Sequence, residues 1–115
     1  MYYHIYVDYF IGEGKNKKQV DCYEKNLESL DKIKSNYVKP FIKGQTIFLS
    51  GRIVRPDALI ILRVLQSEKP LDQIIMEKNN SVPKNFLMIY TAEDLLGGHF
   101  DELKDITNEV MNDEM

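Results

Sequence analysis

The stretch from Tyr37 to Val54, YVKPFIKGQTIFLSGRIV, constrains the fold of this chain more than any other. It reads as the end of a helix, a glycine stop, a strand, a two-residue turn and a second strand. Just upstream, Leu27, Leu30, Ile33, Tyr37, Val38 and Phe41 recur at intervals of three and four, which makes one apolar helical stripe. Asn26 is the expected N-cap, because its side chain can accept from the first-turn N–H groups, and Glu28 favours the positive end of the helix dipole. Pro40 lacks an N–H and disfavours helical geometry at Lys39, so regular helix should weaken near Val38. Gly44 can take the left-handed conformation that closes a helix. Ile47, Phe48, Leu49, Ile53 and Val54 favour strand, and Ser50-Gly51 fits a primed turn between them, which requires positive φ at Gly51. Phe48 and Ile61, in the strongest strand signals, are expected in the core on neighbouring strands. Phe48→Ala would then cost about 3–5 kcal/mol.

The flanking segments supply partners for this stretch. Tyr2 to Ile11 is aromatic and β-branched, with the odd-numbered Tyr3, Ile5, Val7 and Tyr9 as the expected core face. The opposite face carries tyrosines, His4 and Asp8, and reads as wet or as a contact surface. His4 and Asp8 share that face, where a solvated strand outweighs a catalytic or metal pair. Gly12 to Lys18 (GEGKNKK) reads as a polar connection, and Gln19 to Lys25 as an antiparallel return strand. Arg55 to Ala58 reads as a turn fixed by Pro56. Ala58 to Gln66 (ALIILRVLQ) is a near-continuous apolar run, suited to a central strand. Its Arg63 is expected to play a structural role, snorkelling at an edge or paired with Asp8 or Asp57. Pro70 opens a short helix, Asn79 to Asn85 is a loop by composition, Phe86 to Tyr90 is strand-like, and Thr91 caps another helix start. From His99 to Asn112, Phe100, Leu103, Ile106, Val110 and Met111 mark a terminal amphipathic helix with an acidic outer face.

The expected fold is therefore α+β: a small, mainly antiparallel mixed sheet of roughly four or five strands, one main helix packed on it, and the C-terminal helix. Residues 1–96 are expected to form one domain. Residues 97–115 would be a linker or a dimerisation segment, with Phe100, Leu103, Ile106 and Val110 either as the interface of a homo-oligomer or docked onto the chain's own sheet. A formal net charge of -3 argues against a general nucleic-acid binder without excluding a local basic patch. The single cysteine, Cys22, excludes an internal disulfide and a cysteine-rich zinc site. No apolar run approaches a membrane span and the first residues lack a secretory pattern, so a cytoplasmic location is expected. No phosphate-cradling glycine motif, cofactor motif or catalytic constellation occurs.

The order of strand, polar hairpin, strand, helix, Pro-Asp turn and the strand IILRVL resembles the small N-terminal domains of bacterial abortive-infection proteins of the AbiJ type. The residues that carry the resemblance are Pro40, Phe41, Gly44, Gly51, Arg52, Pro56 and Asp57, within Tyr2 to Val64. Such domains precede TIR-like or HEPN-like effector domains in predicted phage-defence proteins. The resemblance implies a non-catalytic sensing, docking or assembly module, with a protein or effector domain as partner. No effector activity carries over, because none of the arginines is followed by a histidine at the HEPN spacing.

A second class of function is a nucleic-acid or nucleotide binder, in which Lys15, Lys17, Lys18, Arg52 and Arg55 contact phosphate and strand tyrosines stack on bases. A third, a small hydrolase using His4 or His99 with a carboxylate, lacks a nucleophile pattern.

Overall fold

In the computed structural model, which describes residues 1–81 and 89–114, the chain is an α+β fold with a mainly antiparallel four-stranded sheet and a separate two-stranded one. The first strand, β1 (Tyr2–Ile11), turns through a 3-10 segment at Gly14–Asn16 into β2 (Lys18–Leu27). A composite helix follows: α1 (Leu30–Ile33), a π turn at Lys34–Val38, and α2 (Lys39–Ile42). The short strands β3 (Ile47–Leu49) and β4 (Arg52–Val54) form the second sheet. Then come a 3-10 turn at Pro56–Ala58, the long strand β5 (Leu59–Ser67) and α3 (Leu71–Ser81). The chain described ends with α4 (Ala92–Gly97), β6 (Lys104–Asp105) and α5 (Thr107–Glu114). Strand order in the larger sheet is β2-β1-β5-β6.

Alternation along β1 divides the sheet into two faces. Ile5, Val7 and Tyr9 point into the main core, where they meet Cys22, Val64, Leu62, Ile33, Tyr37 and Val38. His4 and Tyr6 point the other way and are buried as well, under a second cluster built from Leu65, Leu71, Ile74, Leu95 and Leu96. The face expected to be wet is thus covered at this end by α3 and α4. This accounts for the second half of the run IILRVL, where Leu62 and Val64 enter one core and Leu65 the other, whereas Ile60 and Ile61 are exposed.

The helix stop follows the sequence closely, but the start does not. Gly44 (φ +69) gives its N–H to the Phe41 carbonyl at 3.0 Å, and Gln45 gives its own to Pro40 at 2.8 Å. That pair of bonds is a Schellman closure. The chain passes Pro40 without stopping. Immediately before it, Lys39 N–H reaches back to the Lys34 carbonyl, an i→i−5 bond, and this wider turn relieves the clash that the proline ring would otherwise make. The N-cap is Ser29, which accepts from Lys32 N–H, and not Asn26. Asn26 lies at a bulge in β2 with φ +59 and caps another element, accepting from Leu71 N–H at 2.8 Å at the start of α3.

Further expectations change on the C-terminal side. The helix expected from His99 begins only at Thr107, because Lys104 and Asp105 pair with Gln66 and Leu65 as an edge strand. Leu103, Ile106 and Val110 are buried against the chain's own sheet, and Phe100 packs edge-on to Tyr90 at 5.9 Å. The proposed dimer stripe is therefore covered from within, and residues past 97 contribute to the same sheet and core. Arg63 pairs with Asp105 at 3.2 Å, rather than with Asp8 or Asp57, and donates to the Leu96 carbonyl, tying β5 to β6 and α4. Asn79 to Ser81, expected in a loop, continue α3, and Ile89 and Tyr90, expected in a strand, are not part of one; the rest of that loop and strand lies outside the described residues. No described helix is long and apolar enough to cross a membrane.

Candidate functional site

The hairpin β3–β4 presents two different faces. Its register pairs Ile47 with Val54, Phe48 with Ile53 and Leu49 with Arg52. Ser50 (φ +49) and Gly51 (φ +75) form the turn, as the primed geometry requires. Because strands alternate, Ile47, Leu49 and Val54 fall on one side and are buried in the main core. Phe48 and Ile53 fall on the other, directly opposite one another, and are 67% and 62% exposed. Phe48 is therefore not a core residue. Ile61 is not one either, at 44% exposure, and its strand pairs with β1 rather than with the hairpin. Apolar content identifies a strand but not what covers it: a two-stranded hairpin lying on a core buries only one side, and Ile61 stands opposite Asp8 on the face of β5 away from Leu62 and Val64.

The hairpin is pinned where it meets β2. Ser50 N–H donates to Glu24 at 2.8 Å, Ser50 Oγ donates to the Tyr23 carbonyl, and Cys22 Sγ donates to the Leu49 carbonyl at 3.3 Å. Glu24 also accepts from the Tyr37 hydroxyl. Burial and this carboxylate raise the Tyr37 pKa, and burial likewise raises that of Cys22. Cys22 is thus a protonated small core residue. Beside Phe48 runs a groove of about 390 Å³, walled by Ser35, Asn36 and Tyr37 of the π turn and by Thr46 and Ile47.

The other candidate residues do not assemble into a reaction centre. His4 is fully buried: its Nδ1 accepts from Asn26 N–H at 3.0 Å, and Nε2 lies 2.8 Å from Ser67 Oγ. The acceptor role of Nδ1 leaves the proton on Nε2, and Ser67 passes its own to the Lys69 carbonyl at 2.7 Å. Burial pushes the His4 pKa down to about 4, against the pull of the Asp72 carboxylate. Asp8 does not reach His4. It lies across from Asp21, and both accept from the Tyr6 hydroxyl, at 3.3 and 3.0 Å. Burial and the Asp21 charge raise the Asp8 pKa. His99 is exposed and lines an open groove with Arg63, Asp105 and Thr107. Asp105 is already engaged there: burial works against its ionisation, but bonds from Thr107 and Arg63 hold its pKa below the ordinary value.

The expected basic patch is split between two hairpins. Lys15, Lys17 and Lys18 are exposed in and beside the β1–β2 connection, with Lys17 Nζ 5.8 Å from the Phe10 ring centre. Arg52 and Arg55 are exposed on and just after β4. Tyr6 and Tyr9 are buried, so they cannot stack on bases. Sequence reasoning missed the outer pair Phe48–Ile53 as a surface. Period-2 alternation across a turn with two intervening residues was the signal that could have found it. Compared with protein-family models, curated proteins and solved structures, the chain matches none.

Proposed function

We propose that this chain is a non-catalytic docking module that engages a protein partner through the outer face of β3–β4. The observation that carries the reading is the Phe48–Ile53 pair, two large apolar side chains directly opposed and mostly exposed on a hairpin whose inner face is core. Covering each would stabilise a complex by about 1.5–3 kcal/mol. The turn beneath is fixed by Ser50, Gly51 and Glu24, so the pair is presented on a preorganised support. The resemblance to AbiJ-type N-terminal domains points the same way, towards a sensing, docking or assembly part of a cytoplasmic phage-defence protein.

The test compares the native chain with Phe48→Ser/Ile53→Ser. A partner recovered from the same extract is reconstituted from purified components with each. Binding to the native chain and loss in the double variant support the reading. Equal binding to both contradicts it.

A nucleic-acid reading has one observation in its favour: Lys15, Lys17 and Lys18 stand exposed together and make no ion pair among the described residues. It predicts salt-sensitive binding of an oligothymidylate that is lost when the three lysines become alanine.

A further inference from the structure

The hairpin and its supporting helix have an unusual charge distribution for a chain of net charge -3. Between Asp31 and Asp57 there is no carboxylate side chain, while Lys32, Lys34, Lys39, Lys43, Arg52 and Arg55 all fall there. Two of these cations are answered from α5: Lys34 by Asp113 at 3.5 Å and Lys39 by Glu114 at 3.8 Å. Lys32, Lys43, Arg52 and Arg55 make no ion pair among the described residues. Glu24, the carboxylate under the turn, is already engaged by Tyr37 and Ser50. Arg55 keeps extended backbone geometry (φ -84, ψ 143), so alternation continues past β4 and sets it on the side of Ile53. Arg52, also exposed, pairs with Leu49, so the same alternation sets it on the opposite side, away from Phe48 and Ile53. On the helix, Lys32 lies one turn before Ser35 and Asn36, which wall the groove beside Phe48.

We propose that the occupant of this face is an acidic protein segment with apolar anchors, whose anchors cover Phe48 and Ile53 while its carboxylates meet Arg55 and Lys32. This rests on the docking reading of the hairpin and adds the chemistry of the partner. The apolar centre with a one-sign rim matches how protein interfaces divide affinity from steering. Single-stranded nucleic acid fits less well, because stacking uses successive aromatic faces and Phe48 here stands opposite an isoleucine.

The probe is a fluorescein-labelled peptide of alternating Glu and Leu/Phe, measured by anisotropy against the full chain. Its twin carries Lys in place of Glu. The acidic peptide should bind at least about tenfold more tightly than the twin, and added salt should weaken it. Lys32→Glu/Arg55→Glu should weaken it about tenfold, and Phe48→Ser/Ile53→Ser by as much or more; all four positions are exposed, so circular dichroism should show both variants folded. Equal binding of the two peptides, still lost in Phe48→Ser/Ile53→Ser, overturns the acidic partner but leaves the docking face standing. Binding indifferent to Phe48→Ser/Ile53→Ser overturns both. The acidic partner is also overturned by no binding of the acidic peptide, by tighter binding of oligothymidylate or anionic vesicles, or by a doubled mass in light scattering that the same variant abolishes.

Discussion

Two apolar pairs in this molecule have nearly the same local description and opposite fates. Ile5 and Val64 face each other across β1 and β5, and Phe48 and Ile53 across β3 and β4. Both pairs are β-branched or aromatic, and both sit in antiparallel strands. The Ile5–Val64 pair is sealed completely between the sheet and the composite helix, while the Phe48–Ile53 pair faces outward from the outermost layer. The difference lies in the number of layers, not in the strand. A side chain's contribution to stability is set by what lies on its side of the sheet. The apolar residues of the chain therefore divide into those that hold the fold and those that remain for contact.

The largest expected effect is on the inner side. Leu49, one residue from Phe48 and fully buried, should lose about 2–5 kcal/mol on substitution by alanine, read as a shift of the urea midpoint. A small shift would mean that the hairpin is peripheral on both faces and would erase the contrast.

The next concerns the polar end of the sheet's other face. The fold keeps His4 neutral down to about pH 4, whereas the unfolded chain takes up the proton near the ordinary value of 6.5. The unfolded state binds more protons within that window, so stability is present above it and falls as the pH drops through it, by about 3 kcal/mol. An NMR titration of the His4 ring reads this directly. A midpoint near 6.5 would show that the ring reaches water and that α3 and α4 do not seal this face.

A smaller effect belongs to the turn that separates inner from outer residues. Gly51→Val forces a β-branched residue into φ +75 and should cost about 1–3 kcal/mol, more than Ser50→Ala, by thermal unfolding. Equal effects would argue against the primed geometry, and with it the alternation that points Phe48 and Ile53 outward.

Much of this fold was legible in the sequence because local rules and tertiary packing agree. The Gly44 closure, the Ser50-Gly51 turn, the paired first strands and the Thr91 cap, here a full capping box with Asp94, all follow from single residues with one preferred conformation. What failed depended on distant partners. Asn26 resembles a cap for the nearest helix, but the β2 bulge turns it towards α3. The stripe from Leu103 to Val110 suits another protomer and the chain's own sheet equally well. The hydrogen bond from Ile106 N–H to the Val64 carbonyl, at 2.9 Å, seats it on the chain's own sheet. The candidate site was misread for the same reason: apolar residues in a short strand do not announce whether a layer lies outside them.

The most direct measurement is urea denaturation of Phe48→Ser/Ile53→Ser beside the native chain. If the outer pair serves contact rather than folding, the two curves should agree within about 0.5 kcal/mol. A loss of about 3 kcal/mol or more would put Phe48 and Ile53 in the core and contradict the division of the hairpin into a folding face and a docking face.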